Sequence, residues 1–188
     1  MAGKNHYQLF RTAAGIAAIS WNDGCITTLR LPAPTAPETE RALLRRLPDA
    51  MRTQPSAEVQ AVIDATVRYF AGEPVEFFDV RIDLGEQPPF FARVYEQVRK
   101  LGWGETTTYG AVAHALDAGP EYARAVGQAM ATNPVPLIIP CHRVTAAGGK
   151  IGGFSAPGGS LSKARMLELE GVTAGPAAAR PVQQGFDF

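Results

Sequence analysis

The chain has 188 residues, 46% hydrophobic and 19% charged, and its 18 Lys+Arg balance 18 Asp+Glu to a formal net charge of zero. This suits a globular protein of one or two small domains and excludes a broad basic face for nucleic acid. No apolar run approaches the roughly 18 residues of a membrane span, no secretory signal opens the chain, and two cysteines are too few for a disulfide scaffold, so a cytoplasmic protein without membrane contact is expected.

In chain order, Ile16 to Trp21 reads as a strand, Asn22-Asp23-Gly24 as a turn and Cys25 to Leu31 as a second strand, together a hairpin. Pro32 to Glu38 is rich in Pro and Ala and reads as a loop, followed by a short helix over Glu40 to Leu47. Val59, Val62, Ile63, Val67 and Phe70 recur at helical spacing, which predicts a helix over Ser56 to Phe70. Val75 to Leu84 alternates as a strand does, and Gly85 to Pro89 breaks the chain. A boundary is therefore expected between residues 1–88 and 89–171.

Beyond the break, Phe91, Val94, Tyr95, Val98 and Leu101 share one face of a helix over Phe90 to Leu101, ended by Gly102-Trp103-Gly104. Thr108 is a cap for a helix from Tyr109 to Leu116, and after the turn Asp117-Ala118-Gly119, Pro120 opens a second helix, Glu121 to Ala131. Asn133 to Ile139 is an apolar extended stretch, Gly148 to Gly159 a glycine-rich loop, and Leu161 to Glu170 a last helix stopped by Gly171. The Ala/Pro/Gln-rich stretch 172–188 reads as a poorly ordered tail.

Two features carry chemistry. The helices at 109–116 and 120–131, joined by a three-residue turn, fit a helix-turn-helix. Ala123, Ala125, Gly127 and Ala129 keep the second one thin while Arg124 projects, which suits either tight helix packing or entry into a DNA groove. The other feature is Pro140-Cys141-His142-Arg143-Val144. A thiol attacks only as thiolate, and His142 and Arg143 directly follow the sulfur. Adjacency in sequence alone leaves a reactive and an inert buried cysteine equally open. Cys25, His6, His114 and His142 show no metal-ligand spacing, so no metal is expected. Residues 1–88 hold nine Lys+Arg against eleven Asp+Glu and residues 89–171 eight against six, so any DNA contact in the second part rests on a few local cations.

The run Asn133-Pro134-Val135-Pro136-Leu137-Ile138-Ile139-Pro140-Cys141-His142-Arg143-Val144 resembles the active-site signature of the O6-alkylguanine-DNA alkyltransferases. Gly104-Glu105-Thr106-Thr107-Thr108-Tyr109-Gly110, Ala123-Arg124-Ala125-Val126-Gly127 and Lys163-x-x-Met166-Leu167-x-Leu169-Glu170 are in that family's order, so the resemblance covers residues 89–171 and, more loosely, the hairpin part.

The resemblance implies an α/β (α+β) fold: an N-terminal small-sheet, ribonuclease H-like domain and a mostly helical, winged helix-turn-helix-like C-terminal domain. It implies a monomer that acts on double-stranded DNA containing O6-alkylguanine, flips the damaged base and takes its alkyl group irreversibly, without a cofactor. By the same resemblance Cys141 is the acceptor, His142 the base drawing its proton through a water, Glu170 the carboxylate orienting that histidine, and Tyr109 the proton donor to guanine N3. Arg124 fills the gap left in the stack, with Ala123, Ala125, Gly127 and Tyr122 around it on the groove-entering helix. Asn133 is a hinge; Met130, Pro136 and Phe154 line the guanine pocket, Ser155 lies near O6, and backbone groups of Cys141 and Val144 read the base edge.

The sequence departs from the family pattern in places. Tyr95 stands where tryptophan is common and Phe91 where glutamine is. Tyr122 and Gln128 replace small residues of the recognition helix, and Glu121 adds a negative charge at its start. These changes bear on groove fit and DNA affinity. Two other readings are a lesion-binding module that flips guanine without transfer, and a cysteine hydrolase on another fold; the presence of Cys141 opposes the first and the ordered motifs oppose the second.

Overall fold

The computed structural model describes residues 3–152 and 156–173. The chain divides into two compact units. One runs to Gly85 and takes back Pro134–Ile138; the other holds Glu86–Asn133 and resumes at Ile139.

The first unit is built on a sheet of strands β1 (His6–Thr12), β2 (Gly15–Asn22), β3 (Cys25–Ala33) and β4 (Met51–Arg52) in the order β3-β2-β1-β4. The β2–β3 hairpin closes through Asp23 (φ 46°) and Gly24 (φ 79°), the two left-handed residues that a two-residue hairpin turn demands. β1 pairs antiparallel with β2 over its full length, His6 opposite Trp21 to Thr12 opposite Gly15. No sequence pattern announces this strand, because Tyr7 and Thr12 are the buried residues among its seven. Helix α1 (Ala36–Arg46) begins inside the expected loop: Thr35 accepts the amide of Glu38 as N-cap and Pro37 sits in the first turn, where a missing N–H costs nothing. Helix α2 (Ala57–Phe70), capped by Ser56, buries the expected stripe of Val59, Val62, Ile63 and Phe70.

The stretch 75–84, expected as a strand, is not one. Ile82 makes an isolated bridge to Ile26, flanked by bonds from the Ile26 amide to Arg81 O (2.8 Å) and from the Asp83 amide to Ile26 O (2.9 Å), while Val80 closes a turn onto Phe77. Alternation of Val75 and Phe77, both buried, came from packing without a ladder. In the returning stretch Pro134 O accepts the Leu29 amide (3.0 Å), and Leu137 takes φ 76°. That left-handed conformation costs an L-residue about 1–2 kcal/mol.

The second unit contains α3 (Pro89–Val98), the short strand β5 (Thr107–Thr108), α4 (Tyr109–Ala115), α5 (Ala123–Ala131), the short strand β6 (Val144–Thr145) and α6 (Gly159–Leu169). Thr108 caps α4 as expected, its hydroxyl accepting the Ala111 amide at 3.1 Å. The second helix of the pair starts later than the sequence suggests: Pro120–Tyr122 form one 3₁₀ turn before α5. Val126, Ala129 and Met130 of α5 are buried, and the hydroxyl of Tyr95 on α3, the residue standing in a tryptophan position, donates to Ala129 O at 2.9 Å. That bond fixes the orientation of α5 and satisfies a buried carbonyl. No helix of the described residues is long and apolar enough to cross a membrane.

Candidate active site

Cys141 opens a 3₁₀ turn, Cys141–Arg143, whose amides are tied back to Ile139 O (2.8 Å) and Pro140 O (2.9 Å). β6 follows at once and pairs in parallel with β5, Val144 opposite Thr107 and Thr145 opposite Thr108. Because β5 runs directly into Tyr109, this two-residue ladder sets the start of α4 beside the cysteine turn. Gly152 lies against the Tyr109 ring, where a Cβ would meet Cε2 at 2.9 Å, so this position tolerates no side chain.

His142 is fully buried and its Nε2 bonds Glu170 Oε2 at 2.5 Å. Glu170 caps the C-terminus of α6, and Gly171 (φ 77°) turns the chain so that the Val172 amide returns to Leu167 O, a glycine-stopped helix end. The second carboxylate oxygen is also engaged: Oε1 accepts from Arg143 Nε (2.7 Å) and from the Gly104 amide (2.9 Å), and Arg143 Nη1 donates to Leu101 O (2.7 Å). Glu170 is thus held at both oxygens. Burial lowers the basicity of His142 more than Glu170 raises it, so its imidazole is neutral near pH 7 and able to take a proton.

Cys141 is 5% exposed. Burial pushes its thiol up, opposed by a hydrogen bond from Asn133 and by the charge of Lys163. The sequence left a reactive and an inert sulfur equally open. Of the two groups that follow Cys141, Arg143 is committed to Glu170 and Leu101 and His142 is neutral, so neither offsets the burial that favours the thiol over the thiolate. Burial pushes the Tyr109 phenol far up and keeps it a proton donor.

The cation that does face this group is Lys163, which the sequence reading left without a role. It is 1% exposed, donates to Val144 O (2.6 Å) and to Tyr109 Oη (3.4 Å), and lies 5.6 Å from the centroid of the Tyr109 ring. Burial lowers its ammonium to about 8. A signal existed: Lys163 and Glu170 stand at i and i+7 on the stripe that also holds Met166 and Leu167, so two ionisable groups occupy the buried face of α6.

Of the other expected residues, Met130 and Val144 are buried, and the Asn133 amide donates to Ile139 O (2.8 Å), tying the end of α5 to the stretch before the cysteine. Pro136 is half-buried in the stretch 134–138 that belongs with the first unit. Phe154 and Ser155 lie outside the described residues. Arg124 and Tyr122 are exposed, Ala123 and Ala125 half-buried. Gly127, expected on the groove-facing side, is instead buried beside Val126. Among the described residues no cluster of His, Cys, Asp and Glu could hold a metal.

Residues 89–172 match the family model described as the DNA-binding domain of 6-O-methylguanine DNA methyltransferase. The chain is 49% identical over 104 residues to a methylated-DNA–protein-cysteine methyltransferase of Sulfolobus acidocaldarius. That match spans 55% of this chain and 62% of the archaeal protein, less than two thirds of its length. It is 36% identical over 165 residues to the protein of the same name from Mycobacterium bovis, covering 88% of this chain and 92% of the relative. Its fold is similar to that of Mycobacterium tuberculosis OGT crystallised in complex with DNA, with TM-score 0.70, 34% identity, and coverage of 90% of this chain and 96% of that one.

Proposed function

The chain belongs to the methylated-DNA–protein-cysteine methyltransferase family, and we propose that it repairs duplex DNA by moving an alkyl group from O6 of guanine to Sγ of its own Cys141, once per molecule. The observation that carries this reading is the set of buried groups gathered at the Cys141 turn: the neutral His142 that follows the sulfur in the chain and is locked by Glu170, and the Tyr109–Lys163 pair, whose electrostatics are coupled to the sulfur.

In this reading residues 89–171 form the DNA-binding transfer domain. A guanine inside a duplex hides its O6, so the base is everted at a cost of a few kcal/mol in lost stacking. Exposed Arg124 fills the vacated space, and Met130 and Val144 border the base. The thiol proton passes through a water to His142, whose charge Glu170 then stabilises. The Sγ lone pair forms a bond to the alkyl carbon as the C–O6 bond breaks. Electrons return to the guanine ring, and N3 takes the phenolic proton of Tyr109. Lys163, within 3.4 Å of that oxygen, stabilises the phenolate and can return a proton to it. The product thioether does not hydrolyse, which makes the reaction single-turnover. The chain works as a monomer in the cytoplasm, where its cysteines stay free.

Incubation with an O6-methylguanine duplex, followed by intact-mass measurement, tests this. A gain of one methylene per molecule, lost in Cys141→Ser, supports transfer. Tight binding of the lesion with no mass change would instead make the chain a flipping module.

A further inference from the structure

The exposed face of α5 carries more than Arg124. Arg124 and Gln128 are both exposed and stand four residues apart, the spacing of a single helix stripe. The opposite side is fixed: Val126, Ala129 and Met130 are buried, and Tyr95 bonds Ala129 O. Half-buried Ala123, Ala125 and Ala131 flank the stripe, so the carboxamide of Gln128 stands above its neighbours. Nearby Thr132 is occupied, its hydroxyl donating to the backbone O of Gln128 (3.0 Å). The Gln128 carboxamide itself makes no hydrogen bond among the described residues.

Resting on the DNA-repair reading above, and on α5 entering the minor groove in it, we infer that Gln128 reads the minor-groove edge of a base pair close to the lesion and gives the transfer reaction a preference for guanine there. Gln128 lies one turn beyond Arg124, roughly 6 Å along the axis. With bases stacked about 3.4 Å apart, that reaches within two steps of the place Arg124 occupies. The minor-groove edge of guanine offers an acceptor, N3, beside a donor, the N2 amino group, whereas adenine and thymine offer acceptors alone. A carboxamide matches guanine at both atoms: Nε2–H donates to N3 while Oε1 accepts from N2–H. At an A·T pair Oε1 faces no donor. Glycine or alanine at this position reads nothing, so the preference is a property of this chain's own glutamine.

The test uses the full-length protein and duplexes with one O6-methylguanine in which each guanine within two steps, on either strand, is replaced singly by inosine, which lacks only the N2 amino group. Single-turnover transfer rates are compared for the wild type, Gln128→Ala and Gln128→Gly. At one position inosine is expected to slow the wild type about five-fold, the low end of what a bidentate amide–base contact discriminates. Both variants are expected to be indifferent to that replacement while reacting with free O6-benzylguanine at the wild-type rate. Transfer that proceeds with no inosine effect at any position, or with an effect that persists in both variants, overturns the role of Gln128 alone. Absence of transfer from every duplex overturns the repair reading along with it.

Discussion

Replacing Lys163 by Met separates what the buried ammonium costs the fold from what it does for the reaction. Its proton is held with a pKa of about 8, against the ordinary 10.5, because burial disfavours the charge. Below pH 8 the folded and unfolded chains both carry the proton and the folded state bears the full cost, about 3 kcal/mol for that interval. Between about 8 and 10.5 the folded chain gives the proton up while the unfolded chain keeps it, so this group's contribution to stability rises with pH. Methionine removes the charge but leaves Val144 O without its 2.6 Å donor, which costs about 1–3 kcal/mol. The variant should therefore be equal to or up to about 2 kcal/mol more stable than wild type at pH 7. Between pH 8 and 10 the wild type should gain on it steadily. Urea unfolding of both proteins across this range, in a Cys141→Ser background so that the thiol does not titrate, measures the difference. A stability difference that is the same at pH 7.5 and pH 10 would refute a desolvated ammonium at this position.

Further outcomes follow from the same geometry. Arg124→Ala should slow repair of duplex DNA and leave reaction with free O6-benzylguanine unchanged; equal losses on both substrates would remove its role in the stack. Tyr109→Phe should slow transfer by roughly 10²-fold or more, the contribution of a positioned general acid, and a rate near wild type on a methylated duplex would take the proton from another source. Glu170→Ala should lower stability by about 3–5 kcal/mol, because it strands the buried Arg143 guanidinium, and thermal melting of the purified variant would show it; an unchanged midpoint would mean that water reaches Arg143.

The signals that survived from sequence to structure were local ones. Asp23-Gly24 dictates a hairpin turn, Thr108 a helix start and Gly171 a helix stop, because each acts through its own backbone or the next few amides. β1 was invisible because its partners lie in β2 and its own seven residues carry no alternating pattern. The expected strand at 75–84 failed for the converse reason, since its alternation reflects burial of Val75 and Phe77 without a strand alongside. At the site, the motif around Cys141 brought the nucleophile and the imidazole to notice, and the family resemblance of the stretch Lys163 to Glu170 brought the carboxylate. The electrostatics were not legible. Whether Arg143 faces the sulfur or Glu170 depends on where Leu101 O and Gly104 N lie, forty residues upstream. Lys163 joins Tyr109 across fifty-four positions, a contact that only the folded α6 creates.

The most direct measurement follows a radiolabelled methyl group from O6 of guanine in a duplex onto the protein. With DNA in excess, the label should arrive in a single burst equal to the number of protein molecules, map entirely to the peptide containing Cys141, and then stop. Continued release of label beyond that burst, or label on any residue other than Cys141, would contradict a permanent, once-only capture by that sulfur.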